Sequence, residues 1–200
     1  MKREHILQQQ SPLPPEYRQL EYIESTGTQY IRTGVIPTLD IEWYLDFQAT
    51  AHTSATSQGS IRYTNNSFAL LFDIYQNQFR SQFGQYPNQW NENFEPVDTN
   101  RHLWHIKNGL VEFDNEVRTH TLFTSINNPT EVYLFARNDG NASYKVKEKI
   151  FRSQFVGLRD YLPALRLANS KPGLYDLVNS QFYTNSGTGC GEKGTLLHCW

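Results

Sequence analysis

No window of this chain holds the 3.6-residue spacing of an amphipathic helix, while short apolar and aromatic runs recur along its length, separated by turn-forming residues. Residues 40–47 (DIEWYLDF) alternate: Ile41, Trp43, Leu45 and Phe47 share one face, and Glu42, Tyr44 and Asp46 the other. Residues 68–75 and 78–83 read as strands joined near Gln76-Asn77. Further runs at 102–107, 110–113, 116–123 and 131–136 have turn residues at Asn108-Gly109, Asp114-Asn115, Asn127-Asn128-Pro129 and Asp139-Gly140-Asn141, and residues 145–152 alternate again. Residues 50–60 read as a small-residue loop, and 84–96 (GQYPNQWNENFEP) as a long loop because no clean period runs through it. Val, Ile, Thr, Tyr and Phe fill the apolar positions, the residues that suit a pleated surface. The expected fold is an all-β sandwich of two antiparallel sheets.

Two hundred residues suffice for one such core. A net charge of −2 argues against a phosphate-tracking surface, so nucleic acid is not an expected partner. No run approaches the roughly 20 apolar residues of a membrane span, and none is expected to insert. Residues 1–10 lack the apolar stretch of a secretory signal, which points to synthesis in a cytoplasm. Residues 1–15 read as an extended, Pro-rich N-terminal arm whose Ile6, Leu7 and Leu13 are expected to dock on a partner. Cys190 and Cys199 fall in a C-terminal tail, residues 190–200; with His198 they make a poor tetrahedral set, and free thiols are expected in a reducing compartment.

Two segments at opposite ends carry a more specific signal. Residues 20–34 (LEYIESTGTQYIRTG) and 171–189 (KPGLYDLVNSQFYTNSGTG) each flank a small polar turn with apolar-aromatic runs, as a hairpin or a tight strand-turn-strand corner does. Together, with residues 158–166 leading into the second, they resemble the opening and closing of a concanavalin A-like (LamG-like) jelly roll. That version is frequent in tailed-phage structural proteins and in surface proteins of gut bacteria. The resemblance spans residues 16–189. It implies a jelly-roll domain in a virion, made in the cytoplasm of a host bacterium and joined to other virion proteins through its arm. It also implies first and last strands lying close together. Such a protein displays on head or tail and binds host-surface carbohydrate, or serves as a decoration, fibre or baseplate piece without a glycan. A bacterial adhesin is the third possibility. Fibre and decoration proteins often form trimers, so a homo-oligomer is a further expectation, although no heptad requires one.

Residues 112–116 (EFDNE) are the one stretch with a catalytic look, because glycosidases on this fold place Glu-x-Asp-x-Glu on a single strand. Asp114-Asn115 is a two-residue turn signal, however, which would put Glu112 and Glu116 on different strands. The expectation is a non-enzyme with no cofactor. The Asp139-Gly140-Asn141 turn lacks the longer ligand pattern of a calcium loop, the six histidines lack zinc spacing, and no metal is expected. The candidate ligand site lies in the 84–96 segment, where Tyr86 and Trp90 offer rings for sugar stacking and Asn88, Asn91 and Glu92 offer hydrogen bonds. The competing role for Trp90 is to fold back and cover an edge of the sandwich.

Overall fold

The alternation at residues 40–47 is realised as the Glu42–Ala49 strand, whose Trp43, Leu45, Phe47 and Ala49 are buried while the residues between them are partly exposed. A computed structural model describes residues 11–51, 56–61 and 67–188, all of them in strands and connections. Among these, no helix is long and apolar enough to cross a membrane. Two sheets face each other. The larger, of ten strands, runs Glu116–Thr119, Leu110–Phe113, Arg101–Lys107, Glu42–Ala49, Lys147–Phe155, Arg159–Arg166, Lys171–Asp176, Gln181–Tyr183. Tyr17–Gln19 is added against Arg159–Arg166 and Ile23–Thr26 against Lys147–Phe155. The smaller, of eight strands, runs Ala142–Ser143, Arg137–Asn138, Thr56–Ser60, Phe68–Tyr75, Gln78–Gln85, Trp90–Pro96, with Tyr133–Leu134 and Ile31–Arg32 paired at its side. Pairing is antiparallel except where Arg137–Asn138 runs parallel to Thr56–Ser60.

Aromatic rings fill the space between the sheets. Trp43 meets Trp104 edge-on at 4.9 Å and stacks on Phe155 at 5.0 Å, while Phe72 bridges Phe47 and Phe79. Such pairs contribute beyond their buried area. Both indole N–H groups are satisfied by serines: Trp43 donates to Ser153 Oγ at 3.0 Å, and Trp104 crosses to Ser81 Oγ of the opposite sheet.

The turns follow the sequence closely. Gln76 and Asn77 both have positive φ (50° and 63°), as the tight turn between right-twisted strands requires. The opening segment is a corner: Ile23–Thr26 lies in the larger sheet and Ile31–Arg32 in the smaller. Gln29 Oε1 holds this corner by accepting from Thr26 N (2.9 Å) and Thr28 N (3.3 Å). The closing segment is a hairpin, Lys171–Asp176 against Gln181–Tyr183. The two ends meet as expected: Asn185 Oδ1 accepts from Tyr30 N, and Ser186 N donates to Tyr30 O at 2.9 Å. A Cβ on Gly187 would stand 2.4 Å from Thr28 O, so only glycine permits that approach.

Three expectations are corrected. Residues 50–60 are not a loop throughout: Thr56–Ser60 is a strand inside the smaller sheet, and its small and polar side chains show no apolar alternation although Ser57 to Ser60 are buried. Residues 84–96 are a strand, a short turn and a second strand, not a loop. Trp90, Glu92 and Phe94 alternate with Asn91 and Asn93, but a charged residue on the inward side hides the period. Leu13 is not held out for a partner. It is 8% exposed and packs on Ala164 and Tyr175, with Leu162 and Phe182 around it, covering an apolar strip of the larger sheet. Ile6, Leu7 and the tail from residue 190 lie outside the described residues.

Candidate functional site

The run at residues 68–75 (FALLFDIY) contains one charged residue, Asp73, and its place explains a cleft on the outer face of the smaller sheet. Phe72 and Ile74 belong to the core between the sheets, whereas Ala69 and Leu71 form a separate cluster on the outer face, the side Asp73 and Tyr75 share. Arg80, directly across the hairpin, meets Asp73 two-pronged: Nε to Oδ1 at 2.8 Å and Nη2 to Oδ2 at 2.5 Å. The same guanidinium lies over the Tyr75 ring, 4.0 Å from its centroid. On the far side Arg137 donates to Asp139 at 3.0 Å and covers the Tyr144 ring at 3.5 Å. Tyr144 is fixed by its carbonyl, which accepts from Ser57 N at 2.8 Å. These residues enclose a cleft of about 290 Å³.

Exposure divides the cleft into a floor and two walls. Asp73 and Arg137 are 5% and 8% exposed, while Tyr75 and Tyr144 are 41% and 48% exposed. Burial pushes the Asp73 carboxyl above the usual carboxylate range, with Arg80 pulling against it. Asp139 moves the other way: against the effect of burial, hydrogen bonds from Ser143 and Arg137 hold it low. Two half-open aromatic walls over a fixed polar floor can take the C–H face of a sugar ring and hydrogen-bond its hydroxyls.

A smaller pocket, about 220 Å³, lies on the outer face of the larger sheet and is lined by Tyr44, Asp46, Leu103, Arg152 and Gln154. One ring serves it, and that ring is stacked on His105 (3.9 Å, 2° between planes), with Glu42 accepting from the Tyr44 hydroxyl at 3.0 Å and lying 2.9 Å from His105 Nε2. Two exposed rings favour the first cleft.

The five residues proposed from the 84–96 segment are not brought to one surface. Trp90 turns inward, stacked on Phe83 at 5.5 Å and on His120 at 4.3 Å, so it covers the edge of the sandwich. Glu92 is bound by Arg118 at 2.7 Å. Tyr86 lies against the outer cluster of Ile61, Ala69 and Leu71, Asn88 N closes a turn onto Gln85 O, and Asn91 is exposed. Glu112 and Glu116 sit on the two strands of a hairpin, as Asp114-Asn115 predicts. Glu112 is opposite Val117 and Glu116 opposite Phe113, so the carboxylates fall on different faces and cannot flank one bond. Sequence reading missed Tyr75, Tyr144, Arg80 and Arg137. The available signal was Asp73, an acid inside an otherwise apolar run.

No family model matches this chain, and no curated protein does. Among solved structures, the Ruminococcus gnavus IT-sialidase CBM40 matches with a TM-score of 0.46 and 14% identity, over 72% of this chain and 91% of that one. Similarity of that extent assigns neither a family nor a ligand.

Proposed function

We propose that this chain is a non-enzymatic carbohydrate-binding domain whose ligand lies in the cleft between Tyr75 and Tyr144. The observation that carries this reading is the pair of half-exposed tyrosines walling a cleft floored by the buried Asp73 and Arg137. Rings held by arginines on one face present stacking area at little further loss of entropy. The LamG-like phrases at residues 20–34 and 171–189, and the way those segments lie against each other, support a jelly-roll domain. The resemblance of those phrases also supports display on a tailed-phage virion, joined to other virion proteins through the N-terminal arm.

A glycan array followed by titration calorimetry on the best hit tests the cleft. Tyr75→Ala and Tyr144→Ala should each weaken binding about tenfold or more, as loss of an aromatic anchor does, with Tm barely changed. Full affinity in both variants would rule this cleft out. Absence of any glycan ligand would favour a purely structural decoration or fibre component.

A further inference from the structure

His102 is where the chain, having left the smaller sheet after Trp90–Pro96, enters the larger one in Arg101–Lys107. It is 4% exposed, among the rings of Phe47, Phe79 and Phe113. Its Nε2 lies 2.7 Å from Asp98 Oδ1. On the other side of the ring Nδ1 faces two carboxylate oxygens, Asp114 Oδ2 at 2.8 Å and Glu95 Oε1 at 3.6 Å. These carboxylates are matched either by a second proton on the imidazole, donated from Nδ1 to Asp114, or by a cation held in that proton's place.

The local backbone is shaped to bring these groups together. Gln78 pairs with Pro96 and Arg80 with Asn93, so Phe94 and Glu95 both stand opposite Phe79. That bulge lets Phe94 enter the core and still turns Glu95 toward His102, the kind of re-aiming bulges provide. Asp114 sits at the hairpin turn with positive φ (51°), and its second oxygen accepts from Leu103 N at 2.8 Å, which fixes the carboxylate. Asp98 is itself oriented by Asn100, whose backbone N–H and side-chain amide both donate to it.

We infer that His102 Nδ1, Asp114 and Glu95 form a binding site for a divalent transition-metal ion such as zinc, which would clip the two sheets together where the chain crosses between them. The three donor atoms lie within 4.8 Å of one another. Two donors about 2.0–2.1 Å from a tetrahedral zinc stand about 3.3 Å apart, so His102 and Asp114 need open by only about half an ångström. One neutral imidazole and two carboxylates balance a doubly charged ion. Asp98 supplies the carboxylate behind the histidine that commonly orients such a ligand.

Chelator-treated full-length protein, with Cys190→Ser and Cys199→Ser to remove competing thiolates of the tail, is titrated with zinc by calorimetry and melted with and without it. One equivalent should bind. With zinc at a hundredfold excess over the measured Kd, Tm should rise by about 5 °C or more. Glu95→Gln and Asp114→Asn, both at solvent-accessible carboxylates, should lose most of that rise while keeping the far-UV spectrum. Asp98→Asn should weaken binding about tenfold. No binding in the thiol-free background, or one equivalent bound equally well by the Glu95→Gln and Asp114→Asn variants, would overturn the assignment.

Discussion

Glu148 is the residue whose chemistry is most at odds with its place. It follows the inward side of the Lys147–Phe155 alternation, next to Ile150, and is 1% exposed. Gln58 donates to it at 2.6 Å, and Gln58 in turn accepts from Phe135 N at 3.2 Å. Burial drives its carboxyl well above the ordinary range despite that hydrogen bond. The folded state therefore holds a proton that the unfolded state releases near pH 4.5, so stability is full below that pH and declines as pH rises toward the folded value. Glu148→Gln keeps the shape and removes the titration. Its denaturation midpoint should gain on wild type steadily from pH 4.5 upward, and parallel profiles for the two proteins would contradict this. Trp90 was legible as an aromatic of consequence, but not in its direction. Because it lies stacked between Phe83 and His120, Trp90→Ala should cost about 3 kcal/mol in a denaturant titration. A negligible loss would return Trp90 to the surface role.

Elements were readable to the degree that their alternation is apolar against polar. Glu42–Ala49 and the hairpins at Gln76-Asn77 and Asp114-Asn115 stood out because faces and turns carry the residue types that physics demands. Trp90–Pro96 did not, since Glu92 occupies an inward position and finds its partners in the distant Arg118 and His120. The cleft escaped for a related reason: it joins the Phe68–Tyr75/Gln78–Gln85 hairpin to Thr56–Ser60 and to the distant Arg137 and Tyr144, and only sheet order makes those neighbours. The corner at residues 25–29 was legible as a turn, whereas its switch between sheets depends on pairing far along the chain. Gln29 is the fastener of that corner. Gln29→Ala would leave the Thr26 and Thr28 amides without their acceptor and should cost about 2 kcal/mol, with hydrogen exchange accelerated at both.

At the scale of the molecule, the arm divides at Leu13. A truncation removing residues 1–10 should leave thermal stability unchanged. One removing residues 1–15 should lose about 2 kcal/mol, the cost of exposing a buried leucine and the strip beneath it. Equal stability of the two truncations would mean Leu13 covers nothing of consequence. Where the chain comes in and goes out has a mechanical consequence. Tyr17 and Phe182 touch, with ring centroids 5.1 Å apart, and Asn185 and Ser186 clasp Tyr30. Tension pulling on both ends is borne first by these contacts at one pole and reaches the Glu42–Ala49 and Lys147–Phe155 strands only after they give way.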